Sequence, residues 1–141
     1  MKEYVLDANA VIRYFELGST GGGERVRKLF EQSERNQARL FMSVINMGEV
    51  FYILLKHLGE QRARHYILAL QHAVTMVEAD TGRTIEAATW KHKYKLGYAD
   101  SFAATLALAS KATLVSADPA FEKVGKSLKW MKLPRFDPKN R

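Results

Sequence analysis

"YVLDANAVIRYF" (residues 4–15) opens as a short apolar run and then sets Asp7 and Asn9 on either side of Ala8. The run, from Glu3 to Asp7, reads as a strand, and residues 9 to 16 read as a short helix stopping at Gly18. A carboxylate therefore stands at the joint between the first strand and the first helix. In open parallel sheets, ligand and catalytic groups gather outside the carboxyl ends of the strands. Asp7 gains meaning only if other acids reach the same edge.

Working outward, "GSTGGG" (18–23) is a hinge-like loop and "ERVRKLFEQSERNQ" a polar helix with Val26, Leu29 and Phe30 on one side. "RLFMS" (39–43) reads as a second strand, with Ser43 placed to cap the helix "VINMGEVFYILLKHLG", which ends at Gly59. A helix from about Glu60 to Val74, a third strand "TMVEA" (75–79) and a helix from about Asp80 to Leu96 follow, the last broken by Gly97. "DSFAATLALASKA" (100–112) is a helix rich in small residues, and "TLVSA" (113–117) a fourth strand. "DPAFEKVG" is a helical turn and "LKWMKL" (128–133) a fifth strand. Strands alternating with helices imply an α/β fold with a mostly parallel sheet between helical layers.

The 141 residues form one expected domain, 1–141, long enough for a single sizeable core. A hydrophobic content of 47% with 26% charged residues is that of a globular chain rather than a disordered one. With no cysteine, disulfides, zinc knuckles and iron–sulfur clusters are excluded. The N-terminus lacks the apolar stretch of a signal peptide, and no run approaches the length of a membrane span, so a cytoplasmic protein is expected. The net charge of +7, from 22 Lys and Arg against 15 Asp and Glu, points toward a polyanionic partner.

Four acids fit the sheet-edge reading. Asp7 closes the first strand, Asp118 lies just past the fourth, Glu49 falls early in the helix after the second, and Asp100 heads a helix leading into the fourth. Each has an ordinary alternative. Asp118 before Pro119 is an N-cap with proline at the first helical position, Asp100 after Gly97 is placed for a cap, and Asp7 suits a turn. Glu49 is harder to dismiss, because residues 44–55 hold almost no other polar side chain and a lone buried carboxylate is costly. Asn46, three residues earlier, shares its helix face.

"LDANAVIRYF", "SVINMGEV", "YADSFAATLA" and "LVSADPAFEKV" resemble, in order and at the usual spacing, the successive motifs of PIN-domain ribonucleases. They are most similar to the small prokaryotic VapC-type toxins of toxin–antitoxin pairs. The resemblance covers essentially the whole chain and implies a three-layer α/β/α sandwich and RNA cleavage dependent on Mg²⁺ or Mn²⁺. It also implies a homodimer neutralised by a cognate antitoxin. By position the family's acids fall on Asp7, Glu49, Asp100 and Asp118, with supporting polar residues at Asn9 and Ser116. Ala8 departs from the pattern, since many members carry a hydroxyl residue there.

The residues agree with the resemblance on chemical grounds. Crowded carboxylates cannot all stay ionised alone; either their pKa values rise or cations enter. Hard divalent cations are natural guests, with Asp7 and Asp100 expected as the most direct ligands and Glu49 and Asp118 completing the shell or orienting water. Setting those four aside leaves 11 of the 15 acids against 22 bases. Lys91, Lys93 and Lys95, together with the spaced series Lys123, Lys126, Lys129, Lys132 and Arg135, are candidates to hold RNA phosphates. His57, His65, His72 and His92 suggest metal-free cleavage as a rival. However, His65 and His72 stand about 10 Å apart along a helix, too far to share a proton, and surface positions are expected. A haloacid-dehalogenase-type phosphatase wants a second Asp where this chain has Asn9. A catalytically weak RNA-binding or regulatory module is the remaining alternative.

Overall fold

The computed structural model describes residues 1–17 and 22–134. Most of the glycine-rich loop (18–21) and Arg135 lie outside the described residues. The chain runs β1 (Lys2–Leu6), α1 (Ala8–Leu17), α2 (Gly23–Glu34), β2 (Ala38–Ser43), α3 (Val44–Leu58), α4 (Glu60–Ala73) and β3 (Thr75–Val77). It continues through α5 (Thr81–Tyr94), α6 (Tyr98–Ser110), β4 (Thr113–Ser116), a 3-10 segment (Pro119–Ser127) and β5 (Trp130–Lys132). Among the described residues no helix is long and apolar enough to cross a membrane.

The five strands form one sheet in the order β3-β2-β1-β4-β5, with every neighbouring pair parallel. Val5 sits opposite Phe41 on one side and Leu114 on the other. Successive side chains of a strand point to opposite faces, and the two hydrophobic cores follow that alternation. Leu6, Leu40, Met42 and Val115 pack with Val11, Val26, Val50 and Leu70, so α1 to α4 cover one face. Val5 and Leu114 pack with Trp90, Ala103, Ala107 and Phe121, so α5 and α6 cover the other. This is the expected three-layer α/β/α sandwich. Strands buried on both faces need continuous apolar runs, which is why residues 4–6 carry no polar alternation.

The strand order places the site. The chain lays β1, β2 and β3 outward in one direction, then crosses back to set β4 on the other side of β1. Where the order reverses, the connections leaving β1 and β4 diverge to opposite faces and open a crevice at the carboxyl ends of the two strands. Asp7 follows β1 and Asp118 lies two residues past β4.

Element boundaries depart from the sequence reading around α5 and α6. The helix α5 stops at Tyr94 rather than Leu96, and its cap is Lys95 in the left-handed region (φ 56°). Leu96 is then drawn into the core, and Gly97 becomes the N-cap of α6, which starts at Tyr98 rather than Asp100. Gly22 (φ 92°) precedes α2, and a Cβ there would meet Leu133, just past β5, at 2.9 Å. Glycine is required at that point both by conformation and by space.

Candidate active site

Asp7 is held between two strands and a helix. Its backbone N–H donates to the Val115 carbonyl (3.1 Å), extending the β1–β4 ladder by one residue, and its carbonyl accepts from Ala10 N–H (3.1 Å) as α1 begins. Its carboxylate is 2% exposed. One oxygen accepts from the Ala8 N–H at 2.9 Å and the other from the Ser116 hydroxyl at 2.8 Å. These neutral donors orient the group without cancelling its charge. Burial is the largest influence on the carboxyl and, with Asp100 nearby, it pushes the pKa up to about 7 against the opposing pull of the two hydrogen bonds.

Ser116, fully buried at the end of β4, links this acid to the next loop. Its Oγ lies 2.8 Å from Asp7 Oδ2 and 3.2 Å from Asn9 Oδ1, and it accepts from the Asp118 N–H at 3.0 Å. A hydroxyl has one proton, and the shorter contact to a carboxylate takes it. Asn9 Oδ1 meanwhile accepts from the Ala117 N–H at 3.1 Å, tying the first turn of α1 to the end of β4. Replacing Ser116 with alanine removes the donor to Asp7 and is expected to cost about 1–3 kcal/mol, more at pH 8 than at pH 5.5 because the ionised acid loses most. Urea denaturation at the two pH values checks this, and equal losses would remove Ser116 from the electrostatic account.

Asp118 is indeed an N-cap, its Oδ1 accepting from the Ala120 N–H at 2.9 Å ahead of Pro119. It also lines the acidic cavity, so cap and site are one residue in two roles. The cap reading of Asp100 does not hold, because Gly97 is the N-cap and Asp100 is the third residue of α6. Its half-buried carboxyl is pushed up to about 7 by burial first, then by the neighbouring Asp118 and by Glu49. Two neighbouring carboxyl groups disfavour being ionised together. A Cβ at residue 97 would lie 3.1 Å from Asp100 Oδ2, so the bare glycine leaves this carboxylate its room.

Glu49 reaches the site from α3, whose first turn is capped by Ser43 accepting from the Ile45 N–H (3.2 Å). The fully buried Asn46 fixes it there: one amide hydrogen goes to Glu49 Oε1 (3.2 Å) and the other to the Ala99 carbonyl (3.0 Å), immediately before Asp100. Asn46 thereby fastens α3 to the first turn of α6 and sets two acids relative to each other. Its own Oδ1 is buried with no hydrogen-bond partner among the described residues.

Asp7, Glu49, Asp100 and Asp118 all line one cavity of about 390 Å³, together with Asn9, and among the described residues no Lys or Arg lines it. Ser116 and Asn46 act from behind that wall through the bonds described. Among the described residues, no three His, Asp or Glu side chains close tightly enough on one point to grip an ion unaided. The set is nevertheless all oxygen and anionic, and Mg²⁺ needs only one or two carboxylates when it keeps its waters.

Ala8, Ile12, Tyr52 and Ile53 complete the cavity, and the last three were not singled out from sequence. The spacing of Tyr52 and Ile53 at three and four residues from Glu49 was the available signal. The four histidines are all exposed, as expected, and none lines this cavity. Several of the candidate RNA-binding lysines are partly engaged within the fold. Lys91 Nζ donates to the Leu96 carbonyl (3.3 Å), Lys123 Nζ to the Lys95 carbonyl (3.2 Å), and Lys132 pairs with Glu122 (2.7 Å).

Solved structures share this fold. VapBC2 from Rickettsia felis, bound to a promoter DNA fragment, superposes with a TM-score of 0.73 at 16% identity, covering 96% of this chain and 99% of that one. VapBC-1 from nontypeable Haemophilus influenzae gives 0.71 at 22% identity, with 92% and 97% covered. VapC20 from Mycobacterium tuberculosis, a sarcin-ricin-loop-cleaving toxin, gives 0.69 at 14% identity, with 86% and 95% covered. Comparison with curated protein sequences gives no match. The PIN domain model matches residues 4–127, which runs from within β1 past β4 and includes all four acids, and the chain belongs to the PIN-domain family.

Proposed function

We propose that this chain, as a single PIN domain over residues 1–141, is a divalent-metal-dependent endoribonuclease and the toxin component of a toxin–antitoxin pair. The observation that carries the reading is the convergence of Asp7, Glu49, Asp100 and Asp118 on one cavity that no basic side chain lines among the described residues. Carboxylates so placed repel one another, and burial and crowding raise the proton affinity of Asp7 and Asp100; Mg²⁺ or Mn²⁺ relieves both. Asp7 and Asp100 would hold the ion, with Glu49 and Asp118 completing the shell or orienting water. When bound, such an ion supplies a water of lowered pKa and a counter-charge for the departing oxygen.

The chain's own residues do the positioning. The Ser116 hydroxyl and Ala8 N–H fix the Asp7 carboxylate, the Ala120 N–H fixes Asp118, and Asn46 fixes Glu49. The excess of basic residues elsewhere supplies phosphate attraction around the acidic pocket. All four acids being in place favours a working enzyme over a catalytically weak RNA-binding module. The VapBC neighbours and a toxin–antitoxin complex among them support a cognate antitoxin as partner; a cytoplasmic homodimer belongs to the same proposal. An apolar groove of about 300 Å³ between α1, α2 and α4, walled by Tyr14, Phe15, Phe30 and Tyr66, offers a seat for part of that antitoxin.

Attack by water leaves 5′-phosphate and 3′-hydroxyl ends, whereas attack by the ribose 2′-OH leaves cyclic phosphates. Mapping product ends from structured RNA cut in Mg²⁺ or Mn²⁺ is therefore expected to show 5′-phosphates. Cyclic phosphate ends would overturn the reading and return attention to the histidines.

A further inference from the structure

Tyr52 is 60% exposed and yet forms part of the wall of the acidic cavity. A single exposed aromatic needs no explanation by itself; this one stands beside the four acids and has a cation next to it. Lys56 Nζ lies 5.6 Å from the Tyr52 ring centroid. Along α3 the order is Glu49, Tyr52, Lys56, at steps of three and four, which puts acid, ring and cation on one helix face in succession. Ile53 and Ile12 extend the apolar part of the same wall.

A nucleic-acid strand presents a matching sequence of groups: a phosphate, the flat base attached to its sugar, and the next phosphate. With the reacting phosphate at the acids, the adjoining base needs a π surface and the following phosphate needs a cation. We propose that Tyr52 is a stacking platform for the nucleobase flanking the scissile phosphate, with Lys56 taking the next phosphate along the strand. The inference rests on the ribonuclease reading and deepens it, because a ring can reach a base face only where that base is unstacked. The preferred substrate is therefore a single-stranded or looped segment rather than a duplex. A second protein chain is the competing occupant of an exposed ring, but the Lys56 charge beside it, and the cation that the acid cavity would hold on the ribonuclease reading, favour an anionic, aromatic ligand.

The test takes a single-stranded RNA oligonucleotide spanning a cut site mapped with the wild type in total cellular RNA. A second oligonucleotide lacks the base next to that cut. Tyr52→Ala is expected to lower kcat/KM on the intact strand by about 5- to 100-fold, the usual range for one stacked base. Tyr52→Phe and Tyr52→Trp should retain most activity. The wild type should cleave the base-less strand about as slowly as Tyr52→Ala cleaves the intact one, the two losses not adding. Lys56→Ala should reduce the slope of log K against log salt by about one, which Tyr52→Ala should not.

Stabilisation of Tyr52→Ala by Mn²⁺ should match that of the wild type. Cleavage by Tyr52→Ala at the wild-type rate would overturn the platform and leave the ribonuclease reading standing. So would additive losses, or a fall in activity that tracks a change in oligomeric state. A wild type that cuts no RNA would overturn both.

Discussion

Replacing Asp100 with asparagine is expected to leave the metal-free protein at least as heat-stable as the wild type, while RNA cleavage falls by about 100-fold or more. The half-buried Asp100 carboxyl lies against Asp118 and near Glu49, and its ionised form is disfavoured there. An asparagine amide can donate to Asp118 and removes one like charge from the cluster. The cost appears only when a cation is added. Binding confined to the folded state stabilises by RT ln(1 + [L]/Kd), about 2.7 kcal/mol at a hundredfold excess over Kd. For a chain of this size that amounts to roughly 10 °C in Tm. Thermal melts with and without Mn²⁺ should show that rise in the wild type and little of it in Asp100→Asn. Destabilisation of the metal-free variant together with normal cleavage would make Asp100 structural.

The second large effect is on pH. The carboxyls of Asp7 and Asp100 both sit at about 7 in the fold against an ordinary 3.8. The folded protein therefore binds more protons than the unfolded chain between those values, and stability must fall as pH rises through that window. The contribution is complete below about pH 4 and lost above about pH 7. For the buried Asp7, a move from 3.8 to about 7 corresponds to roughly 4 kcal/mol. Asp100 contributes less, because it is partly screened by water.

Metal-free wild type should accordingly be more stable to urea at pH 5 than at pH 8, and an Asp7→Asn/Asp100→Asn double variant should show a much flatter profile. Cations compete with protons for the same oxygens, so Mn²⁺ affinity should rise over the same interval, with proton release on binding. A wild-type stability curve that is flat or rising from pH 5 to 8 would contradict the shared burial of these two acids.

Much of this site was legible before any coordinates because its acids sit where topology puts ligands. Asp7 and Asp118 follow strands whose apolar runs are unmistakable, and Glu49 interrupts an apolar helix. What local sequence did not show depended on contacts distant in the chain. Asn46 and Glu49 share a helix face, but the second bond from Asn46, to Ala99, spans 53 positions. The pairing of Ser116 with Asp7 spans 109. The start of α6 was misplaced because an aspartate after a glycine resembles a cap. The turn is in fact made by Lys95 in a left-handed conformation, where glycine or asparagine is the usual signal. Basic spacing likewise did not reveal that Lys132 pairs with Glu122, or that Lys91 and Lys123 also bond backbone carbonyls.

The most direct test of the central claim, that these four acids form one metal-dependent RNA-hydrolysing site, is cleavage of end-labelled structured RNA by the purified chain before and after excess EDTA. Cleavage that needs Mg²⁺ or Mn²⁺, stops in EDTA and returns when Mn²⁺ is restored is the predicted result. Undiminished cleavage in EDTA would contradict it.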